Sequence, residues 1–261
     1  MFEKYTKKFS LTSYDGFNWE WLSGFEQVVI NNGIATYYAV DYGSSRIVTF
    51  NQNWVYQSYQ QLPFNGTYTT KYVQESFYFS SDDYFYKTNS SFFVISNFHN
   101  KNAWYRQFAY DSRNSQFYVT AARDFKRIDV FNVFCSFLRS IILENKPNGL
   151  VILNGNILVG DSSSNKISVL KKEYTNFESK VLSAKTITVN KCNNGISSIT
   201  ADSFGYMAIS CGWNQTLVTV YDLNGTDMNA QITTLFFPFT TAVDSSGRYV
   251  VMTQKSLDIY Y

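Results

Sequence analysis

The chain has 261 residues, 45% of them hydrophobic, 19% aromatic and 16% charged, with a formal net charge of +2. That length and apolar content suffice for a buried core and exclude global disorder. So small a charge does not mark a nucleic-acid or anionic-membrane partner, and no apolar run is long enough to span a bilayer.

The opening segment, MFEKYTKKFSLTSYDG, lacks the apolar stretch of a signal peptide, so the chain is expected to be cytosolic, a mature form or a fragment. Residues 5–11 within it read as a strand, and residues 16–24 (GFNWEWLSG) read as a loop carrying Trp19 and Trp21. The most apolar strands then begin at Tyr37 (YYAVDYG), Phe77 (FYFSSDD), Phe117 (FYVTAAR), Ile157 (ILVGDSS), Met207 (MAISCGW) and Tyr249 (YVVMTQK). The first four starts lie 40 residues apart, and the last two gaps are 50 and 42. One unit therefore recurs six times, at a period typical of propeller blades.

A second strand of period-two alternation follows each start, at 47–50, 128–131, 167–170, 218–221 and Leu257–Tyr260, with 85–88 as its counterpart in the second copy. Upstream lies another strand, clearest at Ile196–Ala201 before DSFG and at 240–243 before DSSG. Asp, Ser and Gly there supply the acceptor and the positive-φ residue of a tight hairpin. Downstream strands at 55–62, 136–143 and 180–186 complete four per unit.

The expected fold is all-β: a six-bladed β-propeller with four antiparallel strands per blade, in one domain spanning 1–261. Its blades are placed at about 25–64, 68–100, 104–143, 147–186, 195–235 and 239–261. The last copy has only three strands. The strand at 5–11 is expected to pair with Leu257–Tyr260, closing the ring and removing its open edge.

The best-preserved copy is 147–170, PNGLVILNGNILVGDSSSNKISVL. Its Pro147, Gly149, Gly155, Asn156, Asp161, Asn165, Lys166 and Ile167 resemble the NHL repeat of six-bladed propellers in the TolB-like superfamily. Copies one, five and six match in part. The resemblance implies a binding platform, because rings of that kind act mostly as platforms and a minority are enzymes.

Several residue sets bear on chemistry. His99 is the only histidine, too few for a His-based zinc site, and no GxSxG turn presents a nucleophile for a Ser-His-Asp triad. The strand-end acids Asp41, Asp82, Asp83, Asp124 and Asp161 admit two readings. They form a carboxylate ring for Ca²⁺, a layout resembling lactonases of the paraoxonase type, or each caps its own loop. Capping takes precedence, because Cys211-Gly212-Trp213 and Thr253-Gln254-Lys255 hold the equivalent places in copies five and six. The same loops carry Tyr42, Arg123, Lys126, Trp213 and Asn214.

The expectation is thus a non-enzymatic binding module or scaffold. Its rim on one face, formed by Asp41, Tyr42, Asp82, Asp83, Arg123, Lys126, Asp161, Trp213 and Asn214, meets a protein or glycan partner. No cofactor, metal, nucleic acid or membrane insertion is expected, and the protein is expected to be a monomer. The alternative is a calcium-dependent hydrolase or lyase of the lactonase type, with its site at the mouth of the central channel.

Cys135, Cys192 and Cys211 include no CxxC pair. With 202–205 as a turn, Ile196 lies opposite Cys211 and Cys192 falls just past the end of the ladder. That register makes Cys192–Cys211 a candidate disulfide, against the alternative of three buried thiols. The bridge would imply an oxidising compartment, as for an extracellular protein or ectodomain fragment. Sequons at Asn65, Asn89, Asn214 and Asn224 are no more frequent than chance and say nothing about secretion.

Overall fold

Antiparallel hairpins build each unit outward from a common axis. A computed structural model of the protein describes residues 7–14, 16–29, 34–123, 125–174, 179–212 and 214–260, and every regular element among them is a strand. Blade 1 consists of Leu22–Val29, Ala35–Asp41, Arg46–Phe50 and Tyr56–Gln61; blade 2 of Thr67–Val73, Ser76–Ser81, Tyr84–Thr88 and Val94–His99. Blade 3 runs through Tyr105–Asp111, Gln116–Ala121, Arg127–Asn132 and Phe137–Ile142, and blade 4 through Pro147–Leu153, Asn156–Asp161, Lys166–Tyr174 and Ser179–Thr188. Blade 5 comprises Ile196–Ala201, Tyr206–Cys211, Leu217–Asp222 and Asp227–Thr233. Blade 6 takes Pro238–Val243, Tyr249–Thr253 and Leu257–Tyr260, and its outermost strand is Lys7–Leu11 from the other end of the chain.

The first strand of each blade touches the first strand of the next, and that of blade 6 touches that of blade 1, so six inner strands enclose the axis. Both faces of every blade are covered by neighbours. The second strands are accordingly buried on both sides, as in Ser76–Ser81, whereas an outer strand such as Tyr56–Gln61 is almost wholly exposed. Closure pairs Lys7 with Tyr260 and Leu11 with Leu257. Lys7 Nζ lies 2.9 Å from the buried carboxylate of Asp258, which Ser10 Oγ also reaches.

One turn recurs in six hairpins. The side chain of Asn51, Asn89, Asn132, Asp202, Asp222 or Asp244 accepts the backbone N–H groups two and four residues on. The residue three after it has positive φ: Gly205, Gly225 and Gly247 in three turns, but Trp54, Phe92 and Cys135 in the others. These three bulky residues are buried against the preceding blade. Trp54 stacks on Tyr37 at 4.2 Å and joins Val250, Met252 and Ile259 of blade 6 in one core. Packing outweighs the left-handed backbone cost there, which is about 1–2 kcal/mol.

Glycine serves two needs in blade 4. Gly155 turns its first hairpin at φ +76°, and a Cβ on Gly149 would lie 2.8 Å from the backbone nitrogen of Ile199 in blade 5. The segment 16–24, expected to be a loop, differs. Ser13–Tyr14 and Phe17–Asn18 form a small hairpin, and Trp19 is buried in the blade 6–blade 1 core with Nε1 donating to the Leu11 carbonyl at 3.0 Å.

Cys192 and Cys211 form a disulfide with Cα atoms 4.9 Å apart, Ile196 pairs with Cys211, and Cys135 is a buried free thiol. In denaturant without reductant, thiol titration is expected to count one free thiol, rising to three on reduction; three at the outset would contradict the bridge. Reduction should cost about 3 kcal/mol of stability for a loop of this length. Trp54→Gly is expected to destabilise by about 2–3 kcal/mol in urea melts, since losing the indole costs about 3–5 kcal/mol and relief of the backbone returns only part of that.

Candidate functional site

All six inner strands begin with the same irregularity. One extra residue is inserted against the second strand after Leu22, Thr67, Tyr105, Pro147, Ile196 and Pro238. Such a bulge breaks the alternation of faces and re-aims side chains. In blade 3 it turns both Arg106 and Gln107 toward the axis, where strict alternation would present only one of them. The bulged ends line a cavity of about 380 Å³ at one mouth of the channel, on the face of the second-to-third-strand loops. That size suits a small organic ligand.

Arg106 dominates the cavity. Its guanidinium lies 3.9 Å from the Tyr68 ring centroid and 3.8 Å from that of Trp104, so both rings pack against it. Burial pushes its pKa down, with the Tyr68 and Tyr42 phenols and the Asp82 carboxylate acting the other way; a guanidinium stays charged nonetheless. Arg123 and Lys146 line the same cavity and are exposed. Among the described residues, none of these three cations has a carboxylate within ion-pair distance.

Tyr68 sits at the centre of a polar cluster. Its hydroxyl donates to Asp82 at 3.0 Å and lies 3.2 Å from the Tyr42 hydroxyl, while Trp104 Nε1 donates to the Tyr68 oxygen at 2.8 Å. Burial pushes the phenol far above its ordinary value, Arg106 opposing, so it holds its proton at neutral pH. Gln107 closes the cavity across the axis: its Oε1 accepts from Leu150 N at 2.8 Å and Ile199 N at 3.3 Å, tying blade 3 to blades 4 and 5.

Of the expected rim residues, Arg123 lines the cavity and Tyr42 packs on Tyr68 at 4.7 Å. Asp82 holds Tyr68, Asp83 caps Asn102 N at 2.9 Å, and Asp161 caps Ser163 N at 2.9 Å. Asp41 is buried and accepts from Trp21 N at 2.8 Å. Lys126 and Asn214 are exposed, the latter at φ 69°. Asp124 and Trp213 lie outside the described residues. His99 is exposed on the outer strand of blade 2, stacked on Tyr84 at 4.4 Å. Tyr68, Trp104, Arg106, Gln107, Lys146, Phe237 and Phe239 were not legible as a site, because Tyr68, Arg106, Gln107 and Phe239 lie within bulges that set their facing, and Trp104, Lys146 and Phe237 lie just before the inner strands.

The alternative enzyme reading implied calcium, and the donor set does not fit it. Hard divalent cations need several oxygen ligands, preferably carboxylates. The described strand-end acids, Asp41, Asp82, Asp83 and Asp161, are each engaged with their own neighbours, and no group of three His, Cys, Asp or Glu fit to hold a metal occurs among the described residues. Three positive side chains line the cavity instead.

Fold and site together define a six-bladed β-propeller with a ligand-sized cavity at its axis. No known family's sequence profile matches the chain, and no curated protein matches it in sequence. Solved structures do match. A putative gluconolactonase aligns with TM-score 0.73 at 14% identity over 96% of this chain and 91% of its own. A streptogramin B lyase aligns with TM-score 0.65 at 13% identity over 90% and 78% of the two chains. Virginiamycin B lyase from Staphylococcus aureus aligns with TM-score 0.66 at 10% identity over 96% and 82%. These neighbours are enzymes, and they overturn the expectation of a non-enzymatic scaffold. The physical reason lies in the mouth of the channel, which is a concave cavity lined by cations and aromatic rings rather than an open rim of loops.

Further along the wall of blade 1, Glu26 is buried, 3.0 Å from Lys71 Nζ and accepting from Tyr72 N at 3.2 Å. Burial pushes its carboxyl above the ordinary value of 4.5, and Lys71 only partly opposes this. The folded protein therefore binds this proton more tightly than the unfolded chain. The resulting stability is full below about pH 4.5 and is lost as pH rises through the folded-state value. Glu26→Gln should remove that loss, so its melting temperature relative to the parent is expected to rise with pH above about 4.5. A deficit constant across that range would show that the ion pair outweighs burial.

Proposed function

We propose that the channel mouth is the active site of an enzyme of the lyase or lactonase kind. The observation that carries this reading is the set of three cations, Arg106, Arg123 and Lys146, lining one concave cavity with no paired carboxylate among the described residues. Elimination beside an ester and hydrolysis of a cyclic ester share one electrostatic demand: negative charge grows on a carbonyl oxygen. A cation already held in place meets that charge without having to reorganise. Arg106, half-buried and packed against two rings, is the most rigidly placed of the three.

Tyr68 supplies the proton. It holds the proton at neutral pH and can pass it from Oη to the departing oxygen. The charge left on Oη is then met by Trp104 Nε1–H and by the Arg106 guanidinium beside the ring. In hydrolysis, the proton lost by the attacking water as its oxygen bonds to the carbonyl carbon restores Oη; in elimination, the proton lost from the carbon beside the carbonyl does so. The repeat itself we assign to the NHL type, supported by the residues of blade 4, where Gly149 permits close approach to blade 5 and Asp161 caps its loop.

The test is to incubate the protein with gluconolactone, other small lactones and macrocyclic lactones, following ring opening by mass spectrometry. Hydrolysis adds one water, whereas elimination within a ring leaves the mass unchanged and creates a double bond. Arg106→Gln is expected to lower the rate about a hundredfold, and Tyr68→Phe at least as much. Rates unchanged in both variants would remove these residues from the reaction, and a parent inert toward the whole panel would defeat the enzyme reading.

A further inference from the structure

The cavity has two unlike halves. One is an arc of aromatic rings: Phe237 and Phe239 at the start of blade 6, 4.9 Å apart and edge to face, and the Tyr68 and Trp104 rings beside Arg106. The other half, on blades 3 and 4, carries Arg123 and Lys146. Arg106 stands where the halves meet. The Tyr68 and Trp104 rings pack against its guanidinium, whose N–H edge has no carboxylate partner among the described residues, although Arg106 lines the cavity. That edge is the fork of N–H donors that matches a carboxylate in a bidentate way.

A purely anionic ligand would leave the aromatic arc unused, and a purely apolar one would strand the guanidinium without an acceptor. We infer that this site takes a ring-bearing carboxylate, with its carboxylate on the Arg106 edge and the flat face of its ring on the aromatic arc. An aromatic acid and a sugar acid share this chemistry, since both present an apolar ring face to Tyr and Trp. The inference deepens the enzyme reading and rests on the same cavity, but it concerns binding and requires no turnover.

The experiment is calorimetric titration with four probes: phenylacetate and glucuronate, and their uncharged counterparts 2-phenylethanol and glucose. One acid is expected to bind at least about tenfold more tightly than its neutral counterpart, and which acid does so distinguishes the two sources. Arg106→Gln should abolish that preference, and Lys146→Gln, an exposed position, should reduce it by about threefold. Phe239→Ala should weaken acid and neutral probe alike. Equal binding of acid and neutral probe by the parent, an undiminished preference in Arg106→Gln, or no binding of either acid would each overturn the inference. Ring opening of neutral lactones without acid binding would sink this inference and leave the enzyme reading standing; acid binding by a protein inert toward every lactone would do the reverse.

Discussion

Everything in this ring leans on the pairing between its two ends. An inner strand of a propeller has no hydrogen-bonded neighbour on its axial side, so its position comes from its own blade and from the blades on either flank. The strand Lys7–Leu11 lies on Leu257–Tyr260, and Lys7 and Ser10 meet the buried Asp258. This gives blade 6 its outer strand. Blade 6 in turn forms the wall against which Trp19 and Trp54 of the first blade pack, and its Phe239 completes the aromatic arc beside Trp21. Without that closing strand, the last blade would end on an open edge and the cavity would lose one side.

Given closure, the chemistry of the axis follows from six bulges. Each inner strand would otherwise alternate strictly, sending every second residue into the core between blades. An extra residue at the channel mouth lets consecutive side chains face the axis, which is how Arg106 and Gln107 do two jobs side by side. Gln107 ties three blades and closes the space, while Arg106 charges it. The Tyr68 and Trp104 rings packed against Arg106 restrict its motion and hold its charge at the cavity wall. A metal ion would impose a similar electrostatic focus, but the carboxylates that could hold one are spent on loops and on Tyr68.

The repeat pattern was legible because apolar spacing records burial, and burial is repeated in every blade. The turns were only half legible. DSFG and DSSG announced themselves through glycine, whereas Asn51, Asn89 and Asn132 make the same turn with Trp54, Phe92 or Cys135 at the left-handed position. In those turns the gain from filling a gap between blades overrides the local backbone preference, and no rule of neighbouring residues reveals such a gap. Trp19 escaped for the same reason: its polar surroundings resemble a loop, yet its partners are Leu257 and Ile259, far along the chain.

Sequence alone determined the class of architecture, the number of blades and the identity of the closing strand, because these depend on periodicity and on which strands lack a partner. It also marked Cys192 and Cys211, since hairpin register places them by simple counting. Only the tertiary structure decided what the axis contains. Tyr68, Trp104 and Arg106 come from two blades and an intervening loop, and they meet because ring closure and the bulges bring inner-strand ends together. The strand-end acids looked like candidates because they recur along the chain. Of the cavity's cations only Arg123 did; Arg106 and Lys146 did not, because each occurs once and their common direction exists only around a closed ring.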